Sequence, residues 1–218
     1  LQFNTGVGFE DAPYDLGTTA HRPHTGDDGR PSTGWHAEFG DVDNDGLADL
    51  FIAKGNVDQM PSMAMHDPNT LLMQRPDGTF AEAGAAAGIA TMDRGRGGAL
   101  ADLNADGLLD LVVVNRRAPL ELWRNVTPET GAWAGVALAQ PGPNGRAVGA
   151  WVEMRSGDRV QAQEVTVGGG HAGGSAVPLH FGLGDADQAD VRVVWPDSTA
   201  SDWQPAEVGG VTRIVRGS

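Results

Sequence analysis

The sequence of 218 residues contains no cysteine. That excludes disulfides, thiolate metal sites and a cysteine nucleophile, while leaving the compartment open. Cations are scarce too: 15 Lys and Arg stand against 29 Asp and Glu, a formal net charge of -14, and Lys54 is the sole lysine. Phosphate recognition needs basic surface that releases counterions, so this balance argues against a nucleic-acid partner. Long apolar runs are missing. The longest, such as LLDLVVV, are far too short for a membrane-spanning helix. No charged, apolar and small-residue leader is seen, but the chain begins at Leu1 rather than Met, so export stays open. Also absent are a nucleophile elbow, a zincin helix, a P-loop and a dinucleotide fingerprint. What remains is 40% hydrophobic, enough for the cores of one large or two small folded domains. The Arg, Ala and Gly bias has the look of a high-GC bacterial genome.

Against these absences stands GDVDNDGLADLF at residues 40–51, with aspartates on alternate positions ahead of an apolar strand. Carboxylates so close repel one another unless a cation lies between them. Asp41, Asp43 and Asp45 supply carboxylates, Gly46 permits the sharp turn, Leu47 offers its carbonyl and Asp49 closes the set. ADLNADGLLDLV at residues 101–112 repeats the pattern 61 residues later, with Asp102, Asn104, Asp106, Leu108 and Asp110. The pattern opens like an EF-hand loop, yet the twelfth position holds Ile52 or Val113 instead of Glu, inside β-prone runs. It therefore predicts two β-hairpin calcium loops, because oxygen-only ligands favour calcium over zinc or copper. Seven of the fourteen excess negative charges would surround these ions. A plain Asp/Gly turn without metal is the alternative. The second loop should be the weaker, since Asn104 replaces Asp43.

A further repeat lies outside the loops. LQFNTGVGF at residues 1–9 matches LMQRPDGTF at 72–80, and LELWRN at 120–125 begins a third copy. Each reads as a hairpin around a Gly-containing turn. The order hairpin, acidic loop, hairpin, acidic loop, half hairpin is that of propeller blades. Residues 1–126 supply about two and a half blades, below the roughly four to eight a ring needs. The ring is thus expected to be completed by propeller polypeptide ahead of Leu1 or by a second chain. Beyond the turn-rich TPETGAWAG, residues 127–218 read as a small all-β domain of segments such as AWVEMR, RVQAQEVTV, PLHFGLG, DVRVVW and VTRIVR, with Trp151, Trp195 and Trp203 supplying bulk.

GWHAEFGDVDNDGLADLFIAKG and GGALADLNADGLLDLVVVN resemble FG-GAP propeller repeats, and NGRAVGAWVEMRSGDRVQAQEV with LHFGLGDADQADVRVVWPDS resembles the ASPIC/UnbV domain that follows them in the cartilage acidic protein family. The resemblance covers nearly the whole chain. It implies an all-β fold: a partial FG-GAP-type propeller, then a small β-sandwich-like domain. It also implies calcium, and export in most relatives, secreted or periplasmic in bacteria; some relatives are encoded among enediyne biosynthesis genes, which would suit a cytoplasmic place. Relatives carry a Ser-Tyr segment before LHFGLG, where this chain has GGGHAGGSAVP.

Other candidates are few. His36 and Glu38 share one face of a predicted strand, and the second repeat has Gly97 and Ala99 there, so the repeat does not require them. A His and Glu pair could do acid-base work, or lie on an ordinary solvated strand face. HRPHTGDD at 21–28 could bind a transition metal or form a plain surface loop. MPSMAMH at 60–66 suits an apolar plug or ligand contact, and less readily copper(I). GGGHAGG at 168–174 is simplest as a loop of unusual dihedrals. Two functional classes follow. One is a calcium-stabilised binding or scaffold module for a protein, glycan or small molecule; the other is an enzyme or ligand-binding protein of bacterial natural-product biosynthesis with a pocket over the propeller.

Overall fold

A computed structural model describes residues 1–18, 33–56, 67–171 and 173–217. The stretches at 21–28 and 60–66 lie outside the described residues. Among the described residues all regular structure is β, apart from one 3-10 turn at Tyr14–Leu16. The N-terminal part follows the repeat. β1 (Gln2–Asn4) and β2 (Phe9–Asp11) pair as a hairpin. β3 (Gly34–Gly40), β4 (Asp49–Lys54), β5 (Thr70–Gln74) and β6 (Phe80–Glu82) form a four-stranded antiparallel meander. β7 (Gly95–Ala101), β8 (Asp110–Asn115) and β9 (Glu121–Trp123) form a three-stranded one.

The 61-residue repeat holds at the level of register. Gly40 faces Asp49 and Ala101 faces Asp110, so each acidic loop is the turn of a hairpin. Each hairpin slips register at its far end, between Gly34 and His36 and between Gly95 and Gly97. Side chains alternate across β4 and β8 with the strand period of two. Phe51, Ala53, Leu111 and Val113 point inward and, with Val42, Leu71, Ile89, Leu100 and Leu109, form a core between the two meanders. Lys54 is buried and its Nζ lies 3.2 Å from Asp67 Oδ1.

The C-terminal part has two sheets over a separate core. β10 (Ala132–Ala139), β13 (Leu179–Gly184) and β16 (Val211–Val215) make one, ordered β13-β10-β16, with β10 and β16 parallel. β11 (Trp151–Ser156), β12 (Arg159–Glu164), β14 (Asp190–Val194) and β15 (Gln204–Pro205) make the other, ordered β12-β11-β14-β15. Two expectations need correction. Residues 127–135 were expected to form a turn-rich junction, but from Ala132 on they belong to β10, the central strand of a sheet. Small residues there let neighbouring strands approach: a Cβ at Gly135 would stand 2.9 Å from Val211. Nor do the three tryptophans fill the core together. Trp195 does, but alternation on β11 sends Val152 and Met154 inward and Trp151 out, 47% exposed. The guanidinium groups of Arg155 and Arg192 lie over Trp203, 4.5 and 4.7 Å from its ring centre.

Candidate metal centre

The first acidic loop folds around its own carboxylates. Asp41 Oδ2 accepts the Gly46 N–H at 2.7 Å and Oδ1 the Asp45 N–H at 3.1 Å. Asp49 accepts the Val42 N–H at 3.0 Å across the loop and the Gln74 N–H at 2.9 Å from β5. Turning the chain so tightly needs left-handed backbone at Asn44 and Gly46, φ 60° and 85°. The outcome is that one oxygen each of Asp41, Asp43 and Asp49 lie within 4.8 Å of one another. Burial, then the neighbouring aspartates, pushes the carboxyls of Asp41 and Asp49 up to about 7. Carboxylates crowded and desolvated in this way are held against their own repulsion, and a hard divalent cation is the counterion their chemistry fits. Asp45 lies outside this trio; its Oδ1 accepts the Leu47 N–H at 2.7 Å.

The second loop repeats the backbone scaffold. Asp102 accepts the Gly107 and Asp106 N–H groups at 2.9 and 3.2 Å, and Asp110 accepts those of Leu103 and Asn125 at 3.1 and 2.9 Å. Ala105 and Gly107 reproduce the φ values, 60° and 85°. The side chains differ. Asp106 Oδ2 accepts the Asn104 amide at 2.8 Å and pairs with Arg124 at 3.1 Å. These bonds, with Asn104 first, pull the exposed Asp106 carboxyl below its usual range. The acidic trio of the first loop is the one such group among the described residues.

The C-terminal sheets explain the deeper burial of the first loop. Asn44, 1% exposed, accepts the Gly184 N–H on its backbone oxygen at 2.8 Å and donates from its amide to the Gly107 carbonyl at 3.0 Å. Its side-chain oxygen lies 2.7 Å from His180 Nε2. Burial pushes the His180 imidazole down to about 4, so near pH 7 the ring is neutral and Nε2–H is the donor. Gly182 lies flat on Asp41, where a Cβ would stand 1.8 Å from Oδ2. Arg159 reaches the Asp45 carbonyl at 3.2 Å, and Gly131 donates to the Asp43 carbonyl at 3.0 Å. Asn44, His180 and Gly182 were missed as members of this site. LHFGLG stands out in the sequence, but only the fold puts it on the loop.

His36 and Glu38 also meet, Nε2 to Oε2 at 3.1 Å, on the β3 face that contacts β7. Ile52 and Val113, where an EF-hand would place Glu, lie on β4 and β8.

Comparison with known proteins agrees with both halves of this description. The FG-GAP-like repeat family is matched over residues 41–113, and the ASPIC and UnbV family over residues 140–218. Human cartilage acidic protein 1 (Homo sapiens) is 47% identical over 57 residues, a match that spans 26% of this chain and 9% of that protein. The chain therefore carries an FG-GAP-like repeat followed by an ASPIC and UnbV domain, with partial similarity to cartilage acidic protein 1.

Proposed function

We propose that the chain is a calcium-stabilised, propeller-type binding or scaffold module. One observation carries this reading: Asp41, Asp43 and Asp49 converge within 4.8 Å on a loop whose backbone bonding recurs 61 residues on. Calcium would be held in the first loop by these three, with Asp45 and the Leu47 carbonyl as further donors. In the second it would be held by Asp102, Asn104, Asp106, Asp110 and the Leu108 carbonyl. When bound, it supplies positive charge that removes the mutual repulsion of the loop carboxylates. The meander β3 to β6 serves as one blade, β7 to β9 as most of the next, and β1 with β2 as the outer pair of a preceding one. Residues 1–126 thus act as the propeller portion and 127–218 as a small sandwich-like domain, whose two sheets share one core.

Exposed Phe3, Phe9, Tyr14, Leu120 and Leu122 support a covering polypeptide, either more of the same precursor or a second chain. An extracellular or periplasmic setting suits a structural calcium module. Recognition of a protein, glycan or small molecule would fall to the loops. The test is thermal unfolding with excess calcium and with chelator, beside elemental analysis of the purified protein. A higher midpoint in calcium is expected, because a ligand of the folded state stabilises it by mass action. An unchanged midpoint with no calcium in the protein would remove the reading.

A further inference from the structure

The C-terminal sheets hold a cavity that the calcium reading does not use. It measures about 360 Å³ and lies where β13 stops short, since β10 pairs with β13 only as far as Val136 and runs on to Ala139. Leu138, Val165 and Leu179 line it and also pack against the C-terminal core. Val167 and Val177, 50% and 45% exposed, stand at its rim. A mostly apolar hollow with a few polar groups has the make-up of a small-molecule site, for which ≈ 300–1,000 Å³ is usual.

Its charged groups are of one sign. Arg146 and Arg213 line it, and no Asp or Glu does among the described lining residues, in a chain with 29 acidic residues. Arg155, Arg192 and Arg216 of the same domain each meet a carboxylate. Arg213 meets none and makes no hydrogen bond among the described residues. It pairs with Ala137 across β10 and β16, on the face away from Ile214 and the core. Arg146 donates from Nη1 to the Ala176 carbonyl at 2.7 Å, which fixes its guanidinium at the cavity wall and leaves its other N–H groups to a guest. The backbone brings donors and acceptors alike, but the carbonyls of Ala139, Gly145, Val165 and Ala176 are already engaged by N–H groups. The arginines therefore set the sign. A cavity beside Trp123 is as large, about 370 Å³, yet its arginine, Arg124, is paired with Asp106. Two guanidinium groups without a counter-ion at an apolar hollow call for an anion that carries its own apolar surface. The volume equals that of about twelve water molecules at ≈ 30 Å³ each, room for a carboxylate on a body of about eight carbons.

We propose that this cavity binds an apolar monocarboxylate of that size, its carboxylate held by Arg213 and Arg146 and its body laid against Leu138, Val165, Val177 and Leu179. The site shares no residue with the acidic loops and stands whether or not they hold calcium.

The test is calorimetric titration of the full chain with sodium octanoate, sodium 2-naphthoate, 1-octanol and octylammonium chloride. Saturable binding of at least one carboxylate is expected, the pair telling a linear body from an aromatic one. Octanol should bind at least about 10-fold more weakly, since it makes no charge-assisted bond, and octylammonium should not bind. In ¹⁵N spectra of the wild type, the backbone amides of Val167 and Val177 should shift with the carboxylate. Arg213→Gln removes an exposed side chain that holds nothing else in the fold. It should weaken carboxylate binding at least about 10-fold and leave the thermal midpoint unchanged, while Arg213→Lys keeps part of the affinity. The proposal is overturned if neither carboxylate binds, if octanol or octylammonium binds as tightly, if the shifts fall only outside the cavity, or if binding survives Arg213→Gln undiminished.

Discussion

Asp41 and Asp49 are the residues on which the metal reading turns, and their proton affinity gives it a signature. Burial and neighbouring aspartates lift both carboxyls to about 7 from a reference of 3.8. Between those values the folded metal-free protein holds more protons than the unfolded one. These two groups therefore favour folding below about pH 4, and that contribution is lost as pH rises through 7. His180 has the opposite sign. Depressed to about 4 from 6.5, it contributes stability at neutral pH that is lost as pH falls through that window. Calcium must displace the protons on Asp41 and Asp49. Binding near pH 6 is expected to release protons, read as a dependence of the calorimetric heat on buffer ionisation enthalpy; no release there would refute the assignment of these carboxyls. Asp41→Asn should weaken calcium binding by at least about 10-fold, since ligand charge count sets affinity. Asp106→Asn should matter less, because Arg124 and Asn104 already engage that carboxylate. Lys54→Met should lower stability in denaturant unfolding, because it removes the ammonium 3.2 Å from the buried Asp67 carboxylate.

At the scale of elements, the first acidic loop is shaped from both sides: β3 and β4 carry it, and β13 closes on it. Gly182→Ala would push a methyl into the Asp41 carboxylate. Overpacking of this kind costs about 1 to 3 kcal/mol. The expected result is a lower thermal midpoint together with weaker calcium binding, whereas Gly78→Ala, with nothing near its Cβ, should leave calcium binding unchanged. The hairpins, both acidic loops and the strands after them were legible because the repeat states each twice. A 61-residue offset fixes loop and strand together, down to the shared register slip. β10 was not legible, since AWAGVALA lacks the polar alternation that marks a half-buried strand. Trp151 misled for a related reason: bulk suggests core, but the pairing of β11 with β12 and β14 decides which face points inward. The closure of β13 over Asn44 lay beyond reach, because it joins residues 136 positions apart.

For the whole molecule, the first acidic loop is one place where the repeat and the C-terminal sheets meet, through Asn44, His180, Gly182, Gly131 and Arg159. A cation bound there would relieve the repulsion of the loop carboxylates at that junction. Apolar surface is left open elsewhere, with Phe9 70% and Leu122 64% exposed. The propeller reading expects it to be covered, so light scattering should find self-association or a bound further fragment. A monodisperse species of 22.7 kDa would contradict that part of the account. The central claim is that the duplicated loops are calcium sites of unequal strength. Calorimetric titration of the chelator-stripped chain with calcium, for wild type and Asp41→Asn, measures this most directly. The account predicts two calcium ions per chain, with the tighter site lost in the variant and the weaker one kept; no saturable binding, or binding that Asp41→Asn leaves intact, would contradict it.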